Sequence, residues 1–124
     1  MAGRLAEIRE DDASDSVRAI YSDIKAATGI PQVNLIFRHL AVHPEMLTWA
    51  WDAIGPLYRD GRIAQAVAQL AVAAPDLAPQ ARGPIWAGLA DADAAQVRAI
   101  LAFYNRGNPA NLIGLSTLVA AARS

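Results

Sequence analysis

Apolar residues recur at three- and four-residue intervals along the chain, and strict alternation never persists beyond a few positions, so the pattern predicts an all-α protein. Ser14-Asp15-Ser16 offers an N-cap for a helix carrying Val17, Ile20, Tyr21 and Ile24, and Gly29 supplies its stop. A short apolar helix follows Pro31, through Val33, Leu35, Ile36, Phe37, Leu40 and Ala41, and ends at His43-Pro44. Pro44 suits a first helical position, and Met46, Leu47, Trp49, Ala50, Ile54 and Leu57 continue as a long helix toward Asp60-Gly61. Gly55-Pro56 lies inside that helix and should kink or split it. Trp49 and Trp51 point in different directions on a helix, so at most one faces the core and the other covers an interface or a pocket.

Further helices are expected over residues 63–74 and around Trp86-Ala87-Gly88-Leu89. Another is capped by Asp91-Ala-Asp93, lined by Val97, Ile100, Leu101 and Tyr104, and closed by Gly107. The last starts at Asn108-Pro109 and carries Leu112, Ile113, Leu115, Leu118 and Val119. This makes a compact bundle of about seven helices. Residues 14–124 read as one helical domain behind an acidic arm, residues 1–13.

Composition narrows the function classes. Hydrophobic residues make up 54% of the 124 positions and charged residues 19%, against about 45–50% and about 25% in ordinary soluble domains, so disorder is not expected. Alanine fills 28 positions, which favours closely packed helices. With 11 basic against 12 acidic residues and no Lys/Arg cluster, nucleic acid is not an expected partner. The absence of cysteine removes disulfides, Cys-ligated metals and thiol chemistry. The uncharged windows, 63–75 and 107–122, fall short of the roughly 20 residues that span a bilayer and read as core or interface helices. The opening MAGRLAEIREDD has no apolar core of a secretory signal, so a cytoplasmic location is expected.

Few residues offer chemistry. His39 and His43 are four apart but lack the remaining ligands of a metal site, and no metal is expected. Ser116 has no nucleophile elbow around it, and no glycine motif cradles phosphate. Glu10-Asp11-Asp12 with Asp15 reads as a solvated cap before a helix N-terminus. The stretch from Ala102 to Pro109 gathers a phenol (Tyr104), two amides (Asn105, Asn108), a guanidinium (Arg106) and a predicted helix start. Such a corner favours an anion such as a carboxylate; the alternative is a plain Gly stop followed by an Asn-Pro cap.

Ile20-Tyr-Ser-Asp-Ile24, Ile30-Pro31, Phe37-Arg-His-Leu-Ala41 through His43-Pro44 to Ala50-Trp51, and Val97-Arg98 to Phe103-Tyr-Asn-Arg-Gly-Asn-Pro109 with Leu112 together resemble one repeat of the group I α-haloacid dehalogenases. The likeness runs from about Ile20 to Leu118 and is closest to the family's N-terminal repeat. The alkylhydroperoxidase and carboxymuconolactone decarboxylase-like domains share the Pro-anchored helix, but their Cys-pair chemistry is excluded here. The resemblance implies an all-helical fold, no cofactor, and a site between two repeats where an activated water displaces halide from a 2-haloacid. It places the water-holding Asn at Asn108 and the substrate wall at Gln32, Asn34, Leu35 and Phe37, with Tyr104, Asn105 and Arg106 beside it.

The Asp that activates water in that family falls on Asn34 counting from Pro31, or on Ile36 counting back from Pro44, and neither can accept a proton. The expected function is therefore a homodimeric, dehalogenase-like domain that binds a small carboxylate at its interface without the catalytic Asp. The alternative is an active 2-haloacid dehalogenase in which Asn108 positions the water and Arg106 or helix-start amides hold the carboxylate; spacing leaves open whether a carboxylate such as Asp52 or Glu45 of a partner copy reaches the space beside Asn108.

Overall fold

A computed structural model of the protein describes residues 3–77, 80 and 90–123. Among them the chain is all-helical: a 3-10 turn at Glu10–Asp12 precedes α1 (Asp15–Thr28), α2 (Leu35–Leu40), α3 (Pro44–Arg59), α4 (Arg62–Ala73) and α5 (Asp91–Ala122). The helix expected around Trp86 lies outside the described residues.

Local signals act where the spacing placed them. Ser14 Oγ accepts from the Val17 N–H at 3.4 Å, and Gly29 ends α1 in the left-handed region at φ 69°. Pro44 opens α3 as expected, whereas α2 begins at Leu35, later than the expected Val33, with Asn34 as a cap that accepts from the Ile36 N–H at 3.1 Å. Gly61, at φ 85°, turns the chain from α3 into α4. Asp91 and Asp93 lie in the first turn of α5 rather than capping it; the N-cap position is Ala90.

The core is the seam between α1 and α3. Val17, Tyr21 and Ile24 face Leu47, Ala50, Trp51 and Ile54, with Phe37 of α2 and Leu118 of α5 closing the ends. Phe37 meets Trp51 edge-on at 5.9 Å and 84°, an arrangement that adds to the roughly 1.5–3 kcal/mol from burying each large side chain. Trp51 is 4% exposed and Trp49 48%, so the two indoles part as helical geometry requires.

Neither internal proline splits its helix. Pro56 sits within α3 and Pro109 within α5, which runs unbroken through Gly107-Asn108-Pro109. In each case packing outweighs the proline's missing N–H, worth about 3 kcal/mol. Gly55 leaves room for the Trp51 indole, whose Cε2 would lie 3.0 Å from a Cβ there. Gly107 is buried against Ile30, whose Cδ1 would lie 2.7 Å from an added Cβ, and Gly114 lies against Ile54 and Tyr58. These close approaches hold α5 to the body on both sides of Pro109. Gly107 is thus a contact point inside a helix rather than a stop. Gly107→Ala should consequently change stability by less than about 1 kcal/mol, the gain in helix propensity offsetting the displacement of one Ile30 methyl. A loss well beyond that in urea denaturation would mean that Ile30 cannot move aside for the added methyl.

Within the acidic run, Glu10 departs from the expected solvated cap, while Asp11, Asp12 and Asp15 are exposed and Asp15 lies in the first turn of α1. Glu10 bonds Lys25 Nζ at 2.8 Å and accepts from the Val33 N–H at 3.2 Å, bridging α1 to the loop before α2. Nearby, the Ile8 N–H donates to the Arg38 carbonyl at 3.0 Å, Tyr21 donates to the Ile8 carbonyl at 2.7 Å, and His39 Nδ1–H donates to the Ala6 carbonyl at 2.8 Å. The Lys25 hydrogen bond, with help from the Val33 amide and against burial, holds the Glu10 carboxyl below its ordinary pKa. A depressed carboxyl stabilises the fold above its unfolded pKa and loses that contribution as pH falls through the folded value. Glu10→Gln should lower Tm at neutral pH, and the gap to the natural protein should close in acid; a gap independent of pH would assign Glu10 a purely steric role.

Candidate cavity between the α1–α2 loop and α5

The residues after Pro31 and those before Pro109 are far apart in sequence, yet the fold sets them on opposite walls of one open cavity of about 190 Å³. One wall is the end of α1, the loop after Gly29 and the start of α2, and contributes Gln32, Asn34, Leu35 and Phe37. The other is the middle of α5 and contributes Tyr104, Arg106, Gly107 and Asn108. Asn105 is exposed on α5 and is not part of the lining.

The roles open to these residues follow from their bonds. Asn34 spends its side-chain oxygen on the α2 cap. Phe37 is 1% exposed and forms the apolar floor against Trp51. Arg106 reaches across the cavity mouth and donates to the Gly29 carbonyl at 3.2 Å, tying α5 to the end of α1. A guanidinium has five N–H donors, so this bond leaves others for a ligand. Asn108 is exposed at the rim.

The continuity of α5 removes one expected feature. Because Asn108 and Pro109 lie inside a helix, Asn108 is not an N-cap and no free helix-start amides face an anion there. The positive character of the cavity comes from side chains. Arg38 and Arg106 both line it, and no Asp or Glu does among the described residues. Arg38 is partly neutralised by Glu7, 3.1 Å away. Arg106 has no such carboxylate among the ion pairs of the described residues and supplies the net charge.

Among the lining residues that escaped the sequence reading are Arg38, Tyr58 and Asn111. Tyr58 carried a usable signal, since Leu47, Trp51, Ile54 and Tyr58 follow the four-three-four spacing of a buried α3 face. Asn111 is three residues from Asn108 and comes near it only once α5 is known to be continuous. Burial raises the Tyr58 phenol to about 12, so it is a donor and not a base near neutrality.

The described wall can therefore hold an anion by charge and amide hydrogen bonds over an aromatic floor, but offers no group to take a proton from water. Asp52 and Glu45 sit exposed on α3, outside the lining. No group of three His, Asp or Glu residues able to hold a metal occurs among the described residues. No described helix is long and apolar enough to cross a membrane. No family model matches the chain, and no curated protein or solved structure is detectably similar to it.

Proposed function

We propose that the chain is a dehalogenase-like helical repeat that binds a small carboxylate in the cavity between the α1–α2 loop and α5, and that it does so as a homodimer without the base needed for hydrolysis. The observation carrying this reading is the cavity itself: its described walls hold two arginines and three side-chain amides beyond the Asn34 cap, with no carboxylate. Its volume of about 190 Å³ is that of about six waters at roughly 30 Å³ each, which suits a short-chain acid.

The homodimer is supported by α5. Leu101, Tyr104, Leu112 and Val119 are each about half exposed and, with Asn108, fall on one face of α5 at steps of three, four, four and seven residues. Large apolar side chains in such a row are costly in water, and a second copy related by a two-fold axis would cover them. Tyr104 and Asn108 belong to both the row and the cavity rim, so the partner would close the site's open side.

Calorimetric titration with 2-chloropropionate and propionate tests the binding, with Kd expected at about 1 mM or tighter for both. Light scattering at micromolar concentration should give a dimer, and Leu112→Glu should give a monomer with weakened binding. Absence of binding to either acid would sink the reading. Halide release from 2-chloropropionate at any pH from about 6 to 10 would instead favour the active dehalogenase, with Asp52 or Glu45 of a second copy as the base.

A further inference from the structure

Two buried side-chain donors lack a hydrogen-bond partner among the described residues, Arg38 Nε and the Tyr58 hydroxyl, and both residues line the cavity. The Arg38 guanidinium is answered elsewhere, through Nη1, by Glu7 at 3.1 Å. The Tyr58 hydroxyl is answered by nothing described. Its ring is held against Trp51 at 5.7 Å and an interplanar angle of 35°, and its oxygen lies where a Cβ on Gly114 would be 3.5 Å away. Buried hydroxyls in folded proteins are normally bonded, and those that are not concentrate where a ligand or an ordered water completes them. With its pKa raised to about 12 by burial, this phenol keeps its proton throughout the physiological range.

Position gives the hydroxyl a distinct task. Gly114 is seven residues, roughly 10 Å at 1.5 Å per residue, along α5 from Gly107 and the neighbouring Arg106. The Tyr58 hydroxyl is thus set about two turns along α5 from the level of Arg106. We propose that Tyr58 is the specificity determinant of the cavity, donating a hydrogen bond to an uncharged oxygen, carbonyl or hydroxyl, that a bound small acid carries away from its carboxylate. Keto and hydroxy acids are then preferred over plain alkanoates of the same length. The inference rests on the carboxylate reading for the acid end of the ligand and on Tyr58 alone for the other.

The test compares levulinate, a γ-keto acid, with pentanoate by calorimetry on the natural protein and on Tyr58→Phe. The natural protein should bind levulinate about tenfold more tightly, and Tyr58→Phe should bind both equally. Tyr58→Phe should also be at least as stable to urea as the natural protein, because it removes an unanswered polar group; a structural role would make it less stable. Equal binding of the two acids by the natural protein, or a preference that survives in Tyr58→Phe, overturns the proposal and leaves the carboxylate reading intact. If neither acid binds, that reading fails, and methyl propyl ketone decides the remaining point. A shift of the Tyr58 Cζ resonance in carbon-13 tyrosine-labelled protein, with Tyr21, which does not line the cavity, unmoved, upholds Tyr58 as the acceptor-reading group, and no shift overturns it.

Discussion

Trp51→Ala is expected to lower the free energy of unfolding by about 4 kcal/mol, a large share of the roughly 5–15 kcal/mol typical of a domain. The indole is 4% exposed and lies between Phe37, edge-on at 5.9 Å, and Tyr58, tilted at 5.7 Å. Its N–H donates to Asp23 Oδ2 at 2.7 Å, and the Arg59 guanidinium bonds the same Asp23 oxygen while lying 5.7 Å from the indole ring centre. One side chain therefore joins α1, α2 and α3. Alanine would open a cavity beneath the binding floor and remove three aromatic and cation contacts, but Asp23 would keep Arg59 and not be stranded. Trp51→Phe should be milder, at about 1–2 kcal/mol, since it retains most of the volume and loses the bond to Asp23. Urea denaturation with an unchanged m-value measures both. A loss under about 1.5 kcal/mol for alanine would contradict a core position for this ring.

Arg106→Ala should weaken binding of 2-chloropropionate or propionate by about 10- to 100-fold, the equivalent of losing one charge-assisted hydrogen bond worth about 1.5–3 kcal/mol. Arg106 is the lining cation with no carboxylate partner among the described ion pairs, and its bond to the Gly29 carbonyl holds it at the mouth. Because the side chain is exposed, the same substitution should leave stability within about 1 kcal/mol of the natural protein. That separates loss of the ligand contact from loss of the fold. Arg106→Lys should fall between the two, keeping the charge but not the planar fork. Calorimetric titration at two salt concentrations checks the assignment, since the Arg106 contribution should shrink as salt rises. Unchanged affinity in Arg106→Ala would remove the guanidinium from the site.

The two halves of the cavity are reached by different routes. Gln32, Asn34, Leu35 and Phe37 come only from the family resemblance counted from Pro31, whereas the cluster Tyr104 to Asn108 stands out by its own residues. Asn105 was grouped with its neighbours on proximity in sequence alone, and the helix turns it away from the lining. Arg38 and Tyr58 were passed over because each looks like an ordinary member of an amphipathic helix. Their importance comes from what lies across from them.

The chain by itself determined the helical class, the boundaries at Ser14, Gly29, Pro44 and Gly61, and the division of Trp51 from Trp49. These depend on caps, on backbone freedom and on the 3.6-residue period, which act within a few residues. The tertiary structure alone decided that Gly107-Asn108-Pro109 continues a helix. The local cost of proline and glycine argues for a break, and the packing of α5 on α3 and α4, including the contacts of Gly107 with Ile30 and of Gly114 with Ile54 and Tyr58, outweighs it. It also decided that Glu10 ties the N-terminal segment to Lys25 and Val33 instead of lying in solvent. Charge patterning reports how a residue meets water, whereas the choice between water and a partner on another element is made by packing at distances in sequence that no local rule spans.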